Sequence, residues 1–109
     1  MKRIYLTTAD ASGGTKTSNP APMDVFGRPE VSLQAVVTGT ATYTVQQTLN
    51  NVFDGTETVT WFDHPSSSLV AATTSQQGNY AYIPAAVRLK QTAGSGSVTL
   101  IVLQAGLHP

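Results

Sequence analysis

The chain has 109 residues, 40% of them hydrophobic and 11% charged, with six basic side chains against six acidic ones and no cysteine. That length serves one hydrophobic core and not two. The balanced charge leaves no surplus of Lys and Arg for nucleic acid or an anionic membrane. The missing thiols exclude disulfides, thiolate metal sites and cysteine nucleophiles.

The start, Met1-Lys2-Arg3-Ile4-Tyr5-Leu6-Thr7-Thr8-Ala9-Asp10, has two cations but no apolar stretch of signal-peptide length behind them. The longest apolar runs, residues 100–103 and the proline-broken 81–87, fall far short of the ~20 residues of a membrane span. The expectation is a protein made in a cytoplasm that has no membrane partner.

Residues 1–30 read as an N-terminal strand followed by an extended arm or surface excursion. The stretch 9–30 holds Gly13-Gly14, Asn19-Pro20-Ala21-Pro22 and Arg28-Pro29 and shows no periodicity. Val25 and Phe26 are its candidate anchors. Residues 31–109 read as a β-sandwich domain. In residues 31–37, Val31, Leu33, Ala35 and Val37 alternate with polar partners, which is the pattern of a half-buried strand. Thr38-Gly39 is expected to turn a hairpin into residues 40–47, with Ala41, Tyr43 and Val45 inward and the threonines solvated.

Asp54-Gly55 marks a loop, and residues 58–62 a short strand with Val59 and Trp61 on one face. His64-Pro65 breaks that strand. Residues 69–74 fit a helical turn or a strand equally well. Gly78-Asn79 precedes a strand that is expected to start at Tyr80 and to be closed by Pro84. Residues 85–91 alternate again, with Val87 and Leu89 opposite Arg88 and Lys90. Gly94-Ser95-Gly96 is expected to close a second hairpin onto residues 97–104, a nearly continuous apolar run that predicts a central strand. With no capped amphipathic helix in the chain, the pattern predicts an all-β fold, a small antiparallel β-sandwich or jelly-roll-like domain with an extended N-terminal arm.

Few residues offer chemistry. Asp63-His64 with Ser66-Ser67-Ser68 holds the ingredients of an acid–base–nucleophile set, but neighbours in a proline-broken loop seldom reach that geometry, and a surface turn is the better reading. Asp54, Glu57 and Asp63 are too sparse for a cation loop. Two histidines, His64 and the near-terminal His108, do not make a transition-metal site. Gly94-Ser95-Gly96 lacks the lysine and helix of a phosphate loop. Trp61, Tyr43, Tyr80 and Tyr82 include candidates for an aromatic ligand platform, although Tyr43 and Trp61 fall on core-facing positions. Arg88 and Lys90, projecting together, read as charges that blunt a sheet edge or meet a partner. No cofactor is expected, and with so few ionisable groups the chain reads as a binding or structural module and not an enzyme.

Three segments carry a family resemblance: VSLQAVVTGTATYTVQQTL at 31–49, VTWFDHPSSSLVAATTSQQGNYAYIPAAVRLKQTAG at 59–94 and SVTLIVLQAG at 97–106. Together they resemble small all-β virion proteins of tailed bacteriophages. The resemblance implies a cement or decoration protein, assembled in a host cytoplasm and carried on the virion, with the major capsid protein and further copies of itself as partners. Val25, Phe26, Arg88 and Lys90 are then the candidate partner-interface residues. A minor head, collar or tail component is the alternative within the virion. A carbohydrate-binding β-sandwich for host attachment, using Trp61 or Tyr80 and Tyr82, is the alternative from another class.

Overall fold

The computed structural model describes residues 2–23, 31–52, 58–80 and 84–104. Among the described residues there are nine strands: β1 Lys2–Ala9, β2 Lys16–Thr17, β3 Ala21–Pro22, β4 Val31–Thr38, β5 Thr42–Thr48, β6 Phe62–Asp63, β7 Gln76–Tyr80, β8 Ala86–Ala93 and β9 Ser97–Gln104. Ser67–Leu69 forms a single 3-10 turn. The expected all-β antiparallel sandwich is what the chain adopts. One sheet has the order β1-β9-β4-β7; the other runs β2-β8-β5-β6, with β3 also pairing with β8. Every pairing among the described strands is antiparallel.

Alternation places the core as expected. Val31, Leu33 and Ala35 of β4, Val98, Leu100 and Val102 of β9, Tyr43 and Val45 of β5, and Val87 and Leu89 of β8 are all buried between the sheets. The strand β9 is central, flanked by β1 and β4. Its apolar run has two uses: Val98, Leu100 and Val102 fill the core, while Ile101 and Leu103 lie half-buried on the outer face.

The two expected hairpins are absent, since β4 and β5 belong to different sheets, as do β8 and β9. The glycine-bearing links cross from one sheet to the other and stack at one end of the sandwich. Gly96 donates its N–H to the Thr40 carbonyl at 2.8 Å, Ala11 to Gly94 O at 2.8 Å and Asp10 to Gly96 O at 3.0 Å. Gly94 has φ +98°, and a Cβ there meets the Thr40 carbonyl, so only glycine fits. The fully buried Gln91 binds the same corner, its Nε2 donating to Gly94 O at 3.1 Å and Gly96 O at 3.0 Å. Alternation cannot separate a hairpin from such a crossing, because both give the same inward and outward faces.

Of the stretch read as an arm, Ala9 still belongs to β1, and residues 16–23 are laid along the edge of β8. Lys16 and Thr17 pair with Gln91 and Lys90, and Ala21 and Pro22 with Val87 and Ala86. Ala21 and Met23 enter the core. Two-residue strands separated by prolines carry no periodicity, which hid this edge from the sequence. Val25 and Phe26 lie outside the described residues.

The strand expected to start at Tyr80 is already formed before it: Gly78 and Asn79 lie within β7, opposite Leu33 and Ser32. A Cβ on Gly78 would stand 2.5 Å from Leu69 Cδ1, so the glycine permits close approach of the 3-10 turn. Residues 69–74 resolve into the end of that turn followed by an isolated bridge between Ala72 and Tyr43.

Candidate functional site

Two surfaces stand out among the described residues. The first is the outer face of the β1-β9-β4-β7 sheet, where register sets side chains in rows across four strands. Arg3 stands beside Leu103, which stands beside Ser32 and then Asn79. One pleat along, Tyr5, Ile101, Gln34 and Gln77 form a second row. These two rows line a groove of about 800 Å3. Tyr5 is 61% exposed, and the Gln77 amide donates to Gln34 Oε1 at 3.4 Å. Arg3 is the groove's charged residue among those described.

The second surface lies on the other sheet. Leu49, just past β5, is 76% exposed and Phe62 of β6 is 63% exposed. Both line a cavity of about 650 Å3 with Asn50 and Thr60. Isolated exposed apolar side chains are ordinary; two large ones sharing a cavity form a patch.

The residues singled out in the sequence are mostly occupied in holding the fold. His64 is buried, and both ring nitrogens are engaged by backbone: Ser66 N–H donates to Nδ1 at 2.9 Å, which leaves Nε2–H to donate to Asn79 O at 2.9 Å. This fixes one neutral tautomer. Burial pushes the His64 pKa down and outweighs the bond to Asn79 O, which favours the protonated ring. Its ring also packs against Tyr80, with centroids 4.6 Å apart. Asp63 Oδ1 accepts from Gln46 Nε2 at 2.9 Å, and Ser66 and Ser68 bond to each other through their hydroxyls at 2.9 Å. The acid–base–nucleophile arrangement is therefore not assembled.

Among the described residues no three His, Asp or Glu side chains converge as a metal site. Asp54, Glu57, Tyr82 and His108 lie outside the described residues. Tyr43 is fully buried, its hydroxyl donating to Thr74 O at 2.7 Å, and burial pushes its pKa up. Tyr80 is likewise buried. Neither forms a ligand platform.

Arg88 does not reach outward from a sheet edge, since β8 is flanked by β5 on one side and by β2 and β3 on the other. Its guanidinium lies 4.4 Å from the Trp61 ring centroid, and its Nε donates to Gln46 Oε1 at 2.8 Å. Burial lowers its pKa. Lys90, on the same outer face, is half-buried. With Gln46 bonded to Asp63, these contacts fasten residues 61–63 onto the second sheet. Thr44, expected in solvent, is buried, its Oγ1 accepting from Ala71 N–H at 2.9 Å, and beyond that segment Thr48 is buried too, its hydroxyl donating to Thr60 O at 2.7 Å.

The groove went unread in the sequence because Arg3 and Tyr5 lie some hundred positions from Ile101 and Leu103. Outward placement of Ser32 and Gln34 was the available signal, but it did not include which strands stand beside them.

No protein-family model matches the chain, and no curated protein matches it. Among solved structures it is similar to that of a family two carbohydrate esterase from Cellvibrio japonicus, at 19% identity and a TM-score of 0.19. That comparison covers 97% of this chain and 35% of the other, so the chain spans a minor part of that protein's length. A TM-score of this size carries no argument about fold or function.

Proposed function

We propose that this chain is a non-enzymatic virion protein that fastens to the surface of a phage capsid by protein–protein contacts, with the major capsid protein as partner and further copies of itself alongside. The observation that carries the reading is the apolar pair Leu49 and Phe62, both exposed and lining one cavity at the end of β5. Large apolar side chains at the centre of an interface supply most of its energy. The resemblance of the strand segments to small virion proteins supports the same assignment. So does the neutral, Thr- and Ser-rich composition, which suits close packing without charge repulsion.

Removing the N-terminal stretch as a whole does not test this, because residues 16–17 and 21–22 pair with β8. Point variants do. Density-purified particles assembled with the wild-type chain or with Leu49→Ser and Phe62→Ser together are compared by quantitative peptide mass spectrometry. The wild type is expected at a copy number comparable to the shell subunit, and the double variant at a small fraction of it while its far-ultraviolet dichroism is unchanged. A few wild-type copies per particle would move the protein to a collar or tail position. Complete absence from particles would end the virion reading.

A further inference from the structure

The outer face of the β1-β9-β4-β7 sheet has a chemistry different from that of the Leu49 and Phe62 patch. It combines one exposed aromatic ring, aliphatic side chains at half exposure and a set of amides. We propose that this groove binds a neutral polysaccharide, with Tyr5 as the stacking platform and Gln34, Gln77 and Asn79 as hydroxyl-reading groups.

Three observations carry the assignment. Tyr5 is mostly exposed on β1, beside Ile101 in the neighbouring strand. An aromatic ring with an apolar body and a polar tip suits ligands whose one face is C–H and whose rim is hydroxyl. Second, amide side chains both donate and accept, as sugar hydroxyls do, and each has more capacity than the single bond joining Gln77 to Gln34 uses. Third, the groove's charge is confined to Arg3 among the described residues. Nucleic acid or an anionic lipid surface demands several cations. An uncharged polyol needs none, and its C–H face suits the Tyr5, Ile101 and Leu103 surface. The groove's volume of about 800 Å3 also falls within the range of small-ligand clefts.

The site is built on the opposite sheet from the apolar pair, so one molecule can hold a particle through one sheet and a glycan through the other. The assignment rests on the groove alone and stands or falls apart from the capsid reading.

The test is affinity electrophoresis of the full chain through gels containing laminarin, xylan, galactomannan or dextran, with hyaluronan as the anionic comparison. The expected result is retardation by at least one of the neutral polymers. Tyr5→Ala should weaken it by about tenfold or more, the range of a buried aromatic anchor. Tyr5→Phe should retain most of it, and Gln77→Ala should weaken it without touching the ring. Phe62→Ser should leave it unchanged. Unaltered thermal melting of the Tyr5 and Gln77 variants separates loss of the site from loss of the fold. Migration unaffected by all four neutral polymers would overturn the proposal. So would retardation that both Tyr5→Ala and Gln77→Ala leave intact, or retardation by hyaluronan alone.

Discussion

The Tyr80 hydroxyl donates to Gln47 Oε1 at 2.6 Å, joining β7 of one sheet to β5 of the other inside the protein. Two sheets held by apolar packing alone can slide against each other, since dispersion contacts are non-directional. A buried directional bond between them fixes their relative position. Tyr80→Phe removes the donor and leaves the glutamine carbonyl without it, at a cost of about 1–3 kcal/mol. Urea unfolding should show the loss as a lower midpoint with an unchanged slope. Because the Gln47 amide also donates to Asp63 O at 3.2 Å, the pair is isolated by a double-mutant cycle of Tyr80→Phe and Gln47→Leu, and a cycle with no coupling would show that the bond is idle.

The sheet-to-sheet corner depends on Gly94. Its positive φ and the nearby Thr40 carbonyl both oppose a side chain. Gly94→Ala is expected to cost at least about 2 kcal/mol, through the conformational penalty and displacement of the corner. Gly13→Ala is the matched comparison, because a Cβ there meets nothing within 4 Å. Thermal melts of the two variants should differ widely, with the Gly13 protein close to wild type.

His64 gives stability a pH dependence whose sign follows from its surroundings. Burial holds its folded pKa below the ordinary 6.5, so the unfolded chain takes up the proton first as pH falls. Its contribution is complete above about 6.5 and is lost as pH drops from there towards the folded value. Urea midpoints measured between neutral and mildly acidic pH should decline for the wild type. His64→Asn should lie lower throughout and lose the His64 share of that slope. Identical slopes in the two proteins would remove His64 as its source.

Arg88 and Trp61 form a latch over the second sheet. Arg88→Ala uncovers the ring and frees Gln46 from one partner, and the cation–π contact contributes about 0.5–1 kcal/mol at such a half-exposed position. Because the chain has a single tryptophan, its emission reports on this contact directly. The expected result is a red-shifted emission maximum and a modest loss of stability. Arg88→Lys should recover little of either, since an ammonium group lacks the planar stacking surface.

By itself the sequence determined the fold class and most of the core. Period-two alternation is a local property, so Val31, Leu33, Ala35, Val87 and Leu89 declare their inward face without knowledge of the neighbouring strand. The apolar run of β9 likewise announces a central position. What only the tertiary structure decided is which strands lie side by side. The Thr38-Gly39 and Gly94–Gly96 links read as hairpins because glycine serves a tight turn and a crossing between sheets equally well. Their true role follows from the stacking of Thr40 on Gly96 and of Ala11 on Gly94. His64 and Arg88 looked available because sequence shows a side chain's chemistry and not its partners. Asn79, Ser66, Trp61 and Gln46 supply those partners, largely from other strands and loops. The groove itself is a product of register: Tyr5 and Gln34 are unremarkable apart, and become one surface when Ile101 is set between them.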